Sequence, residues 1–120
     1  MTNMAQATDA ERKDFFERAR RQAEDDYNKN KRDASALTRW GGALLELANY
    51  MPSDEAPQYV DDAVRKFQEA LTIDPRRDEA LWCLGNAYTS QGFLSPQKMK
   101  AMELFARAKV CVTFKFSIFV

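Results

Sequence analysis

Residues Ala63–Tyr88 read AVRKFQEALTIDPRRDEALWCLGNAY, and this stretch decides the fold. Ala63, Val64, Phe67, Ala70 and Leu71 recur at helical spacing, so the first part is one apolar helix face. Asp74-Pro75 ends that helix, because the residue before a proline avoids the helical region. A second helix begins at about Asp78, with Leu81, Leu84 and Tyr88 turned inward. Ala63, Ala70, Gly85 and Ala87 are small residues at positions where two helices must touch. The stretch is therefore helix, proline turn, helix.

The same pattern extends in both directions. Upstream, Pro57 suits the first turn of the helix that carries Val60 and Phe67, where its missing N–H costs little. Asp61 and Asp62 near that start match the positive helix end and read as a solvated helix beginning rather than a catalytic pair. A helix over Ala34 to Tyr50 is expected from Leu37, Trp40, Leu44 and Leu47, with Trp40 as a core residue. Gly41-Gly42 would cost that helix about 1 kcal/mol each relative to alanine, which implies close approach of another backbone, most simply a packed helix. A first helix over Asp9 to Asn30 presents Phe16, Ala19, Ala23 and Tyr27 before the turn residues Asn28, Asn30 and Asp33. Residues 1–8 read as a disordered N-terminus. Downstream, the helix from Asp78 ends at Gln91 with Gly92 as its stop. Ser95-Pro96 reads as N-cap and first residue of a fifth helix, whose face is Ala101, Leu104, Phe105 and Ala108.

An internal repeat emerges from these elements. Ala63, Phe67 and Ala70 match Ala101, Phe105 and Ala108 at an offset of 38, and Trp40 and Trp82 are separated by 42. A period in the high thirties, built from helix pairs, indicates a helical solenoid. Leu84-Gly85, Ala87-Tyr88, Gly92, Ala101, Phe105 and Ala108 fall in the slots of the tetratricopeptide (TPR) pattern. The predicted fold class is all-α, a TPR-like helical-hairpin solenoid of about five helices.

Composition excludes several function classes. The 120 residues contain 18 basic and 18 acidic side chains, for a formal net charge of zero. Bulk electrostatic attraction to nucleic acid is not expected from that balance. The chain has no histidine, which removes the commonest general base and metal ligand. Cys83 and Cys111 match no metal spacing; as two free thiols they suit a reducing compartment, and Cys83 reads as a packing residue. Met1 to Asp14 lacks the apolar core of a secretory signal. No apolar run reaches the ~18 residues of a membrane span. No phosphate loop, general base or pocket motif points to an enzyme, and no cofactor is expected.

The strings LTRWGGALLELA (Leu37 to Ala48), AVRKFQEALTIDPRRDEALWCLGNAYTS (Ala63 to Ser90) and FLSPQ (Phe93 to Gln97), with the opening FFERARRQAEDDY, resemble the plant-type twenty-kilodalton import receptor of the mitochondrial outer-membrane translocase. The resemblance covers about residues 14–109. It implies a receptor for mitochondrial presequences on the cytosolic face of the outer membrane, working with other translocase subunits. It further implies that residues 9–109 form the presequence-binding domain and that family members carry a C-terminal membrane anchor. After Lys109 the sequence reads VCVTFKFSIFV. This segment departs from the family pattern, has strand-like composition and is expected to be an aberrant apolar tail over 110–120, as from truncation or mis-splicing. Met99, Met102 and Phe105 beside it offer either an adaptable surface or inter-helix packing.

A presequence is a short amphipathic helix with leucines on one face and arginines on the other, so its receptor needs an apolar groove bordered by acids. On the fourth helix Glu79, Trp82, Asn86 and Thr89 share one face. On the second, the comparable face is Gly41, Leu45, Ala48 and Asn49. Trp82 is one residue beyond inward Leu81 and reads as either core or groove. The expected roles are leucine contacts for Trp82 and Leu45, attraction of arginines by Asp78 and Glu79, and a backbone hydrogen bond from Asn86, with Asn49 and Thr89 completing the face. Burying two or three leucines yields about 1.5–3 kcal/mol each, less the cost of ordering the peptide, which corresponds to a Kd of about 10–50 μM. The rival readings are a co-chaperone scaffold clamping an acidic C-terminal tail, which requires lysines and arginines in the groove, and a structural assembly subunit.

Overall fold

The computed structural model describes residues 6–118, with side chains through Thr113. Five helices occur among the described residues: α1 (Asp9–Lys29), α2 (Ala34–Ala48), α3 (Ala56–Ile73), α4 (Asp78–Leu94) and α5 (Lys98–Ile118). Each packs against the next, and α2 also touches α4. The result is an all-α stack of helical hairpins.

Local chemistry starts and stops the helices. Thr8 Oγ1 accepts from the Glu11 N–H at 3.2 Å and caps α1; Asp33 does the same for Ala36 at 2.9 Å and caps α2. These side chains satisfy backbone donors that have no partner within the helix. Pro57 lies in the first turn of α3, and Asp74 caps its end. Of the expected disordered N-terminus 1–8, residues 1–5 lie outside the described residues, and Thr8 is the cap of α1.

Three expectations are corrected. First, α4 runs through Gly92 to Leu94, and no glycine among the described residues has positive φ. Gly92 is a contact residue instead: a Cβ there would lie 2.5 Å from Phe105 Cε1. Second, α5 begins at Lys98, and Ser95 closes α4 instead of opening α5. Third, Val110 to Ile118 continue α5 as helix rather than strand. An existing helix adds each further residue far more readily than a new element nucleates, and Cys111 is packed in the core. Residues 119–120 of that expected tail lie outside the described residues.

The core joins α2 to α5. Leu44, Val64 and Phe67 meet Leu84, Ala87 and Tyr88, which in turn meet Leu104, Ala108 and Cys111. A second cluster joins Leu37 and Ala34 of α2 to Ala70 and Ala80. Burial recurs at an offset of 44: Leu37 with Leu81, Gly41 with Gly85, Leu44 with Tyr88, Val60 with Leu104, Val64 with Ala108 and Phe67 with Cys111 are all buried pairs. This replaces the offset of 38. Six residues turn a helix face by about 240°, so the alanine–phenylalanine spacing of α5 looks like that of α3 while pointing elsewhere. Phe67 is 0% exposed and Phe105 is 37% exposed.

Candidate functional site

The face shared by α2 and α4 follows from the same register. Relative to the buried stripe of α4, the residues Glu79, Trp82, Asn86, Thr89 and Phe93 fall on one outward side. Trp82 is 43% exposed and Phe93 78%; Glu79 and Asn86 are exposed and Thr89 is half-buried. Thr89 Oγ1 donates to the Gly85 carbonyl at 3.0 Å, which leaves its methyl group outward. On α2 the matching positions are Thr38, Gly42, Leu45 and Asn49. Leu45 is half-buried and Asn49 exposed, whereas Gly41 and Ala48 are buried. A Cβ at Gly42 would meet nothing within 4 Å. The expected α2 face therefore loses Gly41 to the Phe67 contact and gains Gly42.

At the C-terminal ends of these helices is a hollow of about 200 Å³, lined by Leu45, Ala48, Asn49, Ser90, Phe93 and Leu94 and floored by Ala56 and Val60 of α3. It brings Leu45 and Asn49 together. Trp82 does not line it. Trp82 is two turns away along α4, about 12 Å from Ser90 at 1.5 Å per residue. Asp78 and Glu79 lie in the first turn of α4, and Asn86 at its midpoint; none of the three lines the hollow. The candidate face is thus an apolar recess at one end and a tryptophan flanked by acids at the other.

Phe93 and Leu94 lie beyond the helix end expected at Gln91, and Ser90, inside that expected helix, lies outside the expected face of Glu79, Trp82, Asn86 and Thr89. A signal existed. Phe93 follows Thr89, and Leu94 follows Ser90, at a spacing of four, so both extend the α4 face if the helix simply continues.

Electrostatics differ between the ends of the molecule. Asp78 and Glu79 are the charged residues of α4, which has no basic residue. Arg77 Nη2 approaches Glu79 Oε2 at 3.8 Å, a long, exposed pair that leaves Glu79 able to meet another cation. Burial, helped by the Glu79 charge, pushes the Cys83 thiol above its ordinary range. Burial does the same for Cys111. A raised thiol pKa means less thiolate, the form that reacts and binds soft metals. Among the described residues there is no group of three or more His, Cys, Asp or Glu able to hold a metal ion, and no helix is long and apolar enough to cross a membrane.

Stacked α-hairpins with an open helix face define a class of helical-repeat protein. The chain belongs to the family described as plant-specific mitochondrial import receptor subunit TOM20, whose pattern matches residues 10–117. The match continues past Lys109, beyond the expected point of departure from the family pattern. The chain is 50% identical over 91 residues to mitochondrial import receptor subunit TOM20-3 of Arabidopsis thaliana, covering 76% of this chain and 45% of that relative. It is 44% identical over 100 residues to TOM20-2 of the same plant, covering 83% and 48%, and 48% identical over 98 residues to TOM20-4, covering 82% and 51%. The chain spans about half the length of the curated relatives it matches.

Proposed function

We propose that this chain is the presequence-binding part of a mitochondrial import receptor, acting at the cytosolic face of the outer membrane beside other translocase subunits. The observation that carries the reading is the α2–α4 face, where exposed Trp82, a recess at Leu45 and Phe93, and a helix bearing acids but no bases occur together. The family membership and the names of its relatives support the same role.

In this reading the leader peptide lies as a helix along α4. Its leucines enter the recess at Leu45, Phe93 and Leu94 and cover the Trp82 indole. Removing apolar area from water supplies the affinity. Asp78 and Glu79 attract its arginines, adding under about 1 kcal/mol each because the pairs are exposed. Asn49 and Asn86 offer amides to the peptide's polar groups, while Thr89 contributes its methyl side. Affinity in the tens of micromolar suits a receptor that hands cargo onward.

The test is an anisotropy titration of a labelled leucine- and arginine-rich helical presequence peptide. A saturable Kd of about 10–50 μM is expected. Trp82→Ala and Phe93→Ala should each weaken it about tenfold with an unchanged circular dichroism spectrum. A folded protein that does not bind the peptide, or binds it equally well in both variants, overturns the reading.

A further inference from the structure

A second hollow, of about 340 Å³, opens between the start of α3, the end of α4 and α5. It meets the first at Val60 and Leu94, which line both. Its floor is Val60 and Leu104, 1% and 5% exposed, and Pro57 and Pro96 also line it. The charged residues lining it are Lys100 and Arg107, and no carboxylate lines it. Arg107 Nη2 pairs with Glu103 Oε1 at 2.7 Å, but both side chains are more than half exposed. Lys100 makes no ion pair among the described residues. Asp61 of α3 accepts from Gln91 Nε2, a lining residue, at 2.8 Å.

The surrounding sequence has the same sign. Helix α5 holds Lys98, Lys100, Arg107, Lys109 and Lys115 against Glu103 alone, in a chain whose net charge is zero. The basic excess of α5 lies at this hollow, whereas the acids of α4, Asp78 and Glu79, lie in the first turn of that helix, far from both hollows. A cationic leader that suits Asp78 and Glu79 is repelled by Lys100 and Arg107.

We propose that this hollow is a second docking site, for a peptide segment in which a bulky apolar side chain is flanked by carboxylates. The apolar side chain enters the recess over Val60 and Leu104, and the carboxylates pair with Lys100 and Arg107. The recess favours a peptide over a lipid surface. A flat bilayer cannot reach a floor as covered as Val60, whereas one side chain can. The residues a bilayer would meet, Met99, Met102 and Val110, are exposed and lie on the far side of α5 from Leu104.

The experiment uses the full chain and a labelled octapeptide with a central Leu-Phe between three acidic residues on either side. Saturable binding is expected, weakened about fivefold by Lys100→Glu and further by adding Arg107→Gln. Trp82→Ala should leave it unchanged. A control octapeptide with Ser-Ser at its centre should bind at least about fivefold more weakly. Equal binding of the control, or indifference to Lys100→Glu, overturns the site. Binding to phosphatidylglycerol-containing vesicles, lost in Lys100→Glu, without octapeptide binding also overturns it in favour of a lipid surface. Because these probes and variants differ from those for the α2–α4 face, failure of leader binding leaves this site standing, and the reverse holds.

Discussion

The ring of Phe67 occupies the space that a side chain at Gly41 would need. A Cβ built on Gly41 lies 2.6 Å from Phe67 Cε1 and 2.9 Å from Cδ1 and Cζ. This contact sets the distance between α2 and α3.

The glycines of this protein should therefore respond differently to alanine. Gly41→Ala gains about 1 kcal/mol of helix propensity but forces a ring in a closed core to move, at a cost of about 1–3 kcal/mol. The net effect is destabilising. Gly42→Ala meets nothing within 4 Å and should stabilise by up to about 1 kcal/mol. Gly92→Ala also crowds a phenylalanine, Phe105, but that ring is partly in solvent and can swing aside, so its cost should be smaller than that of Gly41→Ala. Urea midpoints of the three variants, read by circular dichroism, check the order.

Phe67 and Phe105 should likewise separate. Phe67 is fully buried among Leu44, Leu84 and Tyr88, so Phe67→Ala should cost about 3–5 kcal/mol. For a domain of this size that approaches the whole stability. Phe105 packs on Phe93, with ring centroids 5.2 Å apart, and stays partly in water. Phe105→Ala should cost well under half as much, and thermal melts of the two variants measure the difference.

Tyr27 ties α1 to α3. Its hydroxyl donates to Glu69 Oε1 at 2.7 Å, and its ring lies 5.9 Å from that of Trp40, over which the Lys66 ammonium sits at 3.9 Å. The hydrogen bond to Glu69 raises the Tyr27 pKa above its ordinary value of 10.0. Since the folded value is the higher one, this contribution is complete below pH 10 and is lost as pH rises through the folded pKa. Tyr27→Phe should cost about 0.5–1 kcal/mol at neutral pH. The gap between variant and parent should close as the solution is taken above pH 10, as urea titrations at pH 7 and pH 10.5 would show.

The cysteines should be slow to react. Burial raises both thiol pKa values and so lowers the thiolate fraction further, and Cys111 lies within the core cluster. Labelling by a thiol reagent at pH 7.5 should be slower in the native protein than in urea, with Cys111 the slower of the two. Native labelling of Cys111 at the unfolded rate would show that α5 opens away from Gly85.

Much of the helical order was legible in the amino-acid sequence because it is local. The spacing of Leu37, Leu44 and Leu47, the cap at Asp33, and Asp74-Pro75 each act within a few residues, and α1 to α3 follow the expected bounds closely. The shared face of Glu79, Trp82 and Asn86 was also legible, because one helical period defines it, but whether Trp82 is core or exposed was not. What remained hidden depends on contacts between helices. Alanine and phenylalanine at matching spacing do not say which face turns inward, so only packing against α4 made Phe67 core and left Phe105 at the edge. Gly92 is ambiguous until a ring from α5 is found against it, and that contact carries α4 onward to Leu94. The recess of Leu45 and Phe93, and the basic hollow of Lys100 and Arg107, each draw residues from three helices. No single stretch contains such a site, since a hollow exists only where separate surfaces fail to close.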